Sequence, residues 1–186
     1  MATAISQHSF DRLNPVTGEV ATSTPAATLD DVDAACKAAD AAFPAWSATG
    51  PNHRRELLNK AADVLVSRTA DFTAAMMEET GSTAAWAGFN VHLASQMLRE
   101  AGAMTTQIKG EVIPSDKPGL LAMAMRQPVG VVLGIAPWNA PVILGVRSIA
   151  MPLACGNTVV LKASEICPRV HTLIGQVFRE AGFGDG

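Results

Sequence analysis

The feature that most constrains this chain is residues 128–165, where two short β-branched runs flank an apolar stretch of helical length. The runs at 129–135 and 158–161 are largely apolar, which is typical of parallel strands covered on both faces. Residues 141–153 between them suit a crossover helix on one side of the sheet. The segment predicts a nucleotide-holding βαβ unit. The chain is therefore expected to have an α/β fold, a Rossmann-like parallel sheet with flanking helices that is incomplete within these residues.

The first elements of the chain predict a β-hairpin. Short extended runs at 10–13 and 19–22 flank a turn that contains Pro15 and Gly18. Proline presets one backbone angle of such a turn and glycine permits a positive one.

Four helices are expected next. Thr28 suits the N-cap of the first, with acidic residues in its first turn, and Pro44 is expected to end it. Helices from residue 51, over 70–80 and over about 83–108 follow. The first and last helices carry apolar stripes of the kind that usually lie in a core. These stripes are, in the first helix, Leu29, Val32, Cys36, Ala39 and Phe43, and in the last, Trp86, Phe89, Leu93, Met97 and Leu98.

A second hairpin is predicted before the βαβ unit. Extended runs at 111–114 and 120–127 surround a turn with both proline and glycine at 115–119. Two interpretations stay open: a projecting arm that buries one face against a partner, or an edge hairpin of the same sheet.

Charge and cysteine content exclude several classes of function. The net charge of -3 comes without a basic stripe, which argues against a nucleic-acid surface. No apolar run approaches the roughly 20 residues that span a bilayer, so no membrane partner is expected. The first residues lack the pattern of a secretory signal, which favours a cytoplasmic location. The cysteines lack metal-ligand spacing, so we expect no metal site and no disulfide framework, only reduced and buried thiols at Cys36, Cys155 and Cys167.

Polar and aromatic side chains follow both predicted parallel strands. Trp138 and Asn139 come after the first strand between two prolines, and residues 162–165 follow the second. Ligands of open α/β sheets bind outside the carboxyl ends of the strands, so two loops should face one crevice. The G-x-G-x-x-G fingerprint of ordinary dinucleotide-binding folds is absent after either strand.

The motifs PWNAP, GNTVVLK and the following Ser-Glu together resemble the aldehyde dehydrogenase superfamily. NPVTGE, EETG and REAGF extend the resemblance over essentially the whole chain. PWNAPVILGVR and MPLACGNTVVLKASE look most like members that act on aromatic aldehydes such as vanillin, benzaldehyde or salicylaldehyde. The resemblance implies a coenzyme-binding domain from residues 1–109 and 129–186, interrupted by an oligomerisation hairpin at 110–128, and a homo-oligomeric complete protein.

The resemblance also assigns a catalytic role to Asn139. Its side-chain amide matches the family asparagine that helps to stabilise the oxyanion formed when a thiolate attacks the aldehyde. Main-chain groups around Ala136 and Trp138 would line the nicotinamide side. The alternative for Asn139 is a turn residue or an N-cap before Pro141.

Lys162 and Glu165 match the family pair that binds the adenine-ribose hydroxyls. An ammonium donor and a carboxylate acceptor suit a diol, and Glu165 would repel a 2′-phosphate, which favours NAD over NADP. The alternative is a solvated surface ion pair.

Arg147 is the only charge in the predicted helix over 141–153. One interpretation is that it pairs with a carboxylate elsewhere in the chain, because a cation on so apolar a helix needs a partner. The functional alternative is that Arg147 turns toward the substrate tunnel and contacts a polar ring substituent, while Trp86 packs on the aromatic ring.

Two motifs of the family are missing from these residues. Family members use a cysteine nucleophile after a GQ-x-C type motif and a glutamate base in an ELGG-like segment, and neither occurs here. We therefore expect the first third to half of an NAD-dependent aldehyde dehydrogenase, inactive by itself. The alternatives are a catalytically silent NAD-binding or oligomerisation module, and a non-oxidising member of the superfamily.

Overall fold

A computed structural model of the chain describes residues 8–184. The chain combines helices with strands, and in its last third the two alternate, which confirms the predicted α/β fold class. In chain order the elements are β1 (Ser9–Leu13), β2 (Val20–Pro25), α1 (Leu29–Ser47), α2 (Pro51–Ser67), α3 (Thr69–Thr80), α4 (Ala84–Met104), β3 (Glu111–Ile113), β4 (Ala122–Ala124), β5 (Val131–Ile135), α5 (Pro141–Ala154), β6 (Thr158–Lys162) and α6 (Pro168–Ala181). None of these helices is both long and apolar enough to cross a bilayer.

The predicted N-terminal hairpin is confirmed. Strands β1 and β2 pair antiparallel. In the turn between them, Asn14 Oδ1 accepts the N–H groups of Val16 at 2.8 Å and Thr17 at 3.3 Å. Gly18 closes the turn with a φ of +76°, which an L side chain rarely adopts.

Helix α1 begins as predicted and ends later than predicted. Thr28 and Asp31 form a reciprocal capping box at its start. The expectation that Pro44 ends the helix is wrong, since α1 continues to Ser47. The last turn carries Trp46, whose ring lies 5.4 Å from that of Phe183 between centroids. This packing offsets the one hydrogen bond that an interior proline removes.

The two predicted apolar stripes are only partly buried, which corrects the expectation that they lie in the core. In α1 the stripe is exposed at Leu29, Val32 and Cys36 and buried at Ala39. In α4, Trp86 is 40% and Phe89 48% exposed. Small residues take the inner face of α4 instead, because close approach of neighbouring helices requires them; they are Ala87, Ala94, Ala101 and Gly102.

The core lies among α2, α3, α4, α5 and α6, with α4 packed against both α2 and α5. Its large fully buried side chains come from all five helices and include Leu58, Phe72, Leu98, Val146 and Ile174. The helices therefore supply a frame on which β5 and β6 rest.

Strands β5 and β6 pair parallel, in register from Val131 opposite Thr158 to Ile135 opposite Lys162. Helix α5 connects them, so the predicted βαβ unit is confirmed. The expectation that both strand faces are covered is wrong for β5. Gly134 faces α5, but Leu133 and Ile135 on the opposite face are 61% and 66% exposed because no element between residues 8 and 184 covers them.

The second predicted hairpin is also present. Among residues 8–184, strands β3 and β4 pair only with each other and form a separate two-stranded sheet. Within these residues the alternative of an edge hairpin on the same sheet as β5 is therefore wrong. Apolar side chains of the hairpin point to solvent, with Val112 71% and Met123 56% exposed.

Two buried polar side chains join segments that are distant in sequence. Glu79 of α3 accepts the N–H groups of Arg169 at 2.9 Å and Val170 at 3.1 Å, and so caps the start of α6. Burial raises the pKa of Glu79, and these two N–H groups oppose the shift. Asn157 Oδ1 accepts the N–H groups of Val129 at 2.7 Å and Gly130 at 3.2 Å, just before β5.

Replacing Asn157 by alanine should destabilise the chain. Asn157 is 6% exposed, and its Nδ2 also donates to the Pro152 carbonyl at 3.2 Å. The variant leaves the N–H groups of Val129 and Gly130 without this acceptor, while the Pro152 carbonyl keeps the backbone N–H of residue 157. We therefore expect the free energy of unfolding to fall by about 2–3 kcal/mol. Urea unfolding of the 186-residue chain measures this.

The matched control is Asn139→Ala. Asn139 is exposed and its side chain makes no hydrogen bond within residues 8–184, so this change should cost under about 0.5 kcal/mol. Equal effects of the two substitutions would contradict the structural role of Asn157.

Candidate functional site

The carboxyl ends of β5 and β6 lie side by side. The Ala136 N–H donates to the Lys162 carbonyl at 3.1 Å, which continues the ladder one residue past Ile135. The loop that carries Asn139 and the turn that carries Glu165 therefore leave the sheet at the same edge, as the sequence predicts.

Asn139 presents its side-chain amide at this edge without an internal partner. The N-cap of α5 is Ala140, which makes no side-chain cap, so the alternative of Asn139 as an N-cap is not realised. The Asn139 carbonyl accepts a hydrogen bond from Trp86 Nε1 at 3.3 Å. Helix α4 therefore holds the backbone at Asn139 and leaves the amide available to a ligand.

Lys162 and Glu165 form an exposed pair at the same edge. Their side chains lie 3.1 Å apart between Nζ and Oε2, with 56% and 69% of each exposed. The Glu165 backbone N–H, and then Lys162, lower the pKa of the Glu165 carboxyl. This contact fits both interpretations of the pair. A solvated surface ion pair and a binding site for a diol both have charged groups that are accessible from solvent.

The two main-chain positions assigned to the nicotinamide side differ in accessibility. Ala136 is 2% exposed and its N–H is engaged by β6. Trp138 is exposed. Of the two positions, Trp138 is therefore the one that is accessible to a ligand in this structure.

Trp86 of α4 contacts the backbone of Asn139, and Arg147 lies farther along α5, which packs against α4. Trp86 stacks on Phe89 with ring centroids 5.6 Å apart. Arg147 lies roughly 9 Å beyond the start of α5. It borders a cavity of about 150 Å³ that Met97 and Glu100 of α4 also line. Between residues 8 and 184 Arg147 makes no ion pair, so the alternative of an internal carboxylate partner is not realised there.

The three cysteines are all unpaired. Cys167 is buried, and burial raises the pKa of its thiol to about 12. Cys155 is half-buried and Cys36 is exposed on α1, which corrects the expectation that all three are buried. A buried thiol with so high a pKa is protonated at neutral pH, so Cys167 is no activated nucleophile. The described part of the chain contains no group of three or more potential metal ligands.

A further cavity of about 580 Å³ lies between the β1–β2 turn and α3, lined by Asn14 and Met77 among others. It is more voluminous than the cavity beside Arg147, but its lining includes none of the predicted site residues.

Sequence reasoning missed His171 of α6, which lies directly beneath the turn after β6. It is 3% exposed, and its Nδ1 accepts the Ser164 N–H at 2.9 Å. Burial lowers the pKa of His171 to about 4; the Pro141 carbonyl opposes this shift and Lys162 adds to it. The available signal was a lone histidine on the apolar face of α6.

The chain was compared with known proteins. A sequence model of the aldehyde dehydrogenase family matches residues 2–186. A vanillin dehydrogenase of Pseudomonas fluorescens is 66% identical over 177 residues, which are 95% of this chain and 36% of that protein.

Solved structures give the same relationship. A salicylaldehyde dehydrogenase of Pseudomonas putida, crystallised with salicylaldehyde, matches 97% of this chain with a TM-score of 0.94 and 48% identity. An NAD-dependent benzaldehyde dehydrogenase of Corynebacterium glutamicum matches 98% with a TM-score of 0.93 and 32% identity. The chain spans 38% and 40% of these two proteins.

The stability of the chain should depend on pH through His171. The folded pKa of about 4 lies below the ordinary value of 6.5, so the unfolded chain binds a proton first as the pH falls. The contribution of neutral His171 to the free energy of unfolding is therefore fully present above pH 6.5 and decreases as the pH falls from 6.5 to 4. At about 1.4 kcal/mol per pKa unit, this contribution falls by about 2 kcal/mol between pH 7 and pH 4.5.

His171→Asn tests this dependence, because its Oδ1 replaces the Nδ1 acceptor and does not titrate. Urea unfolding at pH 7, 5.5 and 4.5 should show a flatter profile for this variant than for the unchanged chain. His92→Asn, on the exposed side of α4, is the control. Parallel profiles for His171→Asn and the unchanged chain would contradict the assignment.

Proposed function

This chain belongs to the aldehyde dehydrogenase family, and on that premise we propose that it forms the cofactor-binding edge and the oxyanion donor of an NAD-dependent enzyme that oxidises aromatic aldehydes to carboxylic acids. The observation that carries the proposal is the parallel pairing of Ile135 with Lys162. It puts a free amide, Asn139, and an exposed ammonium–carboxylate pair at one edge of the sheet.

Lys162 and Glu165 are proposed to bind the adenine-ribose hydroxyls of NAD. The ammonium can donate to a hydroxyl oxygen while the carboxylate accepts from a hydroxyl. Because its lowered pKa keeps Glu165 ionised at neutral pH, it would repel the 2′-phosphate of NADP. NAD bound at this edge would supply the hydride acceptor.

Asn139 is proposed to donate its amide to the aldehyde oxygen as negative charge develops there. One such donor contributes about 3 kcal/mol to the transition state in comparable sites. The hydrogen bond from Trp86 to the Asn139 carbonyl supports this role, since it fixes the backbone from which the amide extends. The thiol nucleophile and the carboxylate base belong to segments outside these 186 residues.

The aromatic substrate is proposed to lie along the exposed seam between α4 and α5. The stacked rings of Trp86 and Phe89 offer an apolar wall near Asn139. Arg147 lies farther along that seam, makes no ion pair with residues 8–184, and is proposed to bind a hydroxyl or other polar substituent on the ring. The relatives are named vanillin, salicylaldehyde and benzaldehyde dehydrogenases, and these aromatic substrates agree with such a site.

The β3–β4 hairpin is proposed to be an interface between subunits of a homo-oligomer. Its exposed Val112 and Met123 are suited to burial against another chain. This observation also favours the second candidate function, an oligomerisation or NAD-binding module without chemistry of its own.

A cytoplasmic location is proposed because unpaired thiols suit a reducing compartment.

Activity can be measured in a chimera that joins residues 1–186 to the remaining part of the Pseudomonas fluorescens vanillin dehydrogenase. The chimera should form NADH from an aromatic aldehyde, and the 186 residues alone should not. A folded chimera without NADH formation would favour the silent module.

Glu165→Ala in the chimera should weaken NAD binding and improve NADP relative to NAD. Loss of a charge-assisted hydrogen bond predicts a dissociation constant for NAD that is roughly tenfold higher or more. Fluorescence titration with both cofactors measures the change. The control is Glu56→Ala, an exposed carboxylate of α2. Unchanged affinity for NAD in Glu165→Ala would refute the cofactor site.

Arg147→Ala in the chimera should reduce discrimination between hydroxylated and plain benzaldehydes. A lost hydrogen bond to a charged group predicts a change of about tenfold in the ratio of the two kcat/KM values. Steady-state kinetics with benzaldehyde, salicylaldehyde and 4-hydroxybenzaldehyde provide the ratio. Arg99→Ala on the exposed side of α4 is the matched control. A ratio that does not change would remove Arg147 from the substrate site.

A further inference from the structure

The turn between β6 and α6 is anchored to the core through one buried residue, Ser164. Ser164 lies between Lys162 and Glu165 in sequence and is 4% exposed, whereas both neighbouring charges are exposed. Its N–H donates to His171 Nδ1 at 2.9 Å, and its Oγ accepts the Ile166 N–H at 3.2 Å. The position of Ser164 therefore determines where the two charged side chains leave the turn.

The acceptor role of Nδ1 determines the tautomer of His171. Because Nδ1 accepts from Ser164, the ring proton resides on Nε2. Nε2 is buried and faces the Pro141 carbonyl, without a hydrogen bond of ordinary geometry among the described residues. Pro141 begins α5, two residues after Asn139. One imidazole ring thus lies between the cofactor turn and the loop of the oxyanion donor.

The packing around the ring leaves it little freedom. A Cβ at Gly145 of α5 would lie 3.3 Å from His171 Cδ2 and 2.6 Å from Ile174 Cδ1. Helix α5 therefore approaches α6 closely only because residue 145 has no side chain. This close contact holds the ring against both loops.

We propose that His171 is a positioning residue: through Nδ1 it sets the Lys162–Glu165 turn for the cofactor, and through its ring it ties that turn to the start of α5. This inference rests on the proposed role of Lys162 and Glu165 in binding NAD. His171 touches neither substrate nor cofactor, so its effect passes through the Ser164 N–H.

A purely structural role makes a different prediction. If His171 only fills the core, its replacement lowers stability while the folded enzyme keeps its affinity for NAD. If His171 positions the turn, affinity for NAD depends on whether an acceptor remains at the Nδ1 position. Asparagine and glutamine separate the two cases, because Asn Oδ1 corresponds to Nδ1 and Gln Oε1 corresponds to Nε2.

The experiment measures NAD affinity by fluorescence titration, and kcat at saturating NAD, in chimeras carrying His171→Asn, His171→Gln and His171→Ala. We expect the alanine and glutamine variants to bind NAD about five- to tenfold more weakly, with kcat changed by less than about threefold, and the asparagine variant to stay within about twofold of the unchanged chimera. Thr172→Ala is the control, because Thr172 is the exposed residue that follows His171 in α6.

If the alanine variant does not fold, the comparison of asparagine with glutamine decides. Equal NAD affinity in these two variants would overturn the positioning role. Glu165→Ala in the same chimera separates this failure from that of the proposed function. If Glu165→Ala weakens NAD binding and the His171 variants do not, only the role of His171 is refuted; if Glu165→Ala has no effect, the cofactor site itself is refuted.

Discussion

The parallel pairing of β5 with β6 is the constraint on which the candidate site depends. Parallel strands end at the same edge of a sheet, so the residues that follow each strand must lie close together. Here the in-register pairing brings the loop of Asn139 beside the turn of Lys162 and Glu165. A helical crossover is required between such strands, and α5 supplies it.

Buried polar contacts, rather than apolar packing alone, hold this pairing in place. Asn157 ties the entry of β5 to the end of α5, and Glu79 caps the helix that follows β6. An exposed hydrogen bond from Trp86 then secures the loop after β5. Each is a side chain of one element that satisfies backbone groups of another, and such bonds specify geometry more narrowly than burial does. The family motifs GNTVVLK and EETG contain Asn157 and Glu79, which gives those motifs a structural meaning.

Much of the fold could be predicted from the sequence, because apolar periodicity, caps and turn residues act locally. The start of α1 at Thr28 and the end of α3 at Gly81 follow from such rules. The exposed face of β5 could not be predicted. A continuous apolar run indicates that a strand can be buried on both faces, but it does not indicate which element covers each face. The continuation of α1 past Pro44 accompanies the packing of Trp46 on Phe183, and His171 contacts Ser164 across a turn. Both are properties of tertiary contacts. The sites at Asn139, Lys162 and Glu165 came from resemblance, and the structure adds which of their groups are accessible.

Asn139 and the cofactor edge are proposed to be separate halves of one site. The most direct test is the kcat of the chimera carrying Asn139→Ala, at saturating NAD and benzaldehyde. We expect a kcat about 100- to 1,000-fold lower, because one oxyanion donor is lost, with the dissociation constant for NAD unchanged. A kcat equal to that of the unchanged chimera would contradict this proposal.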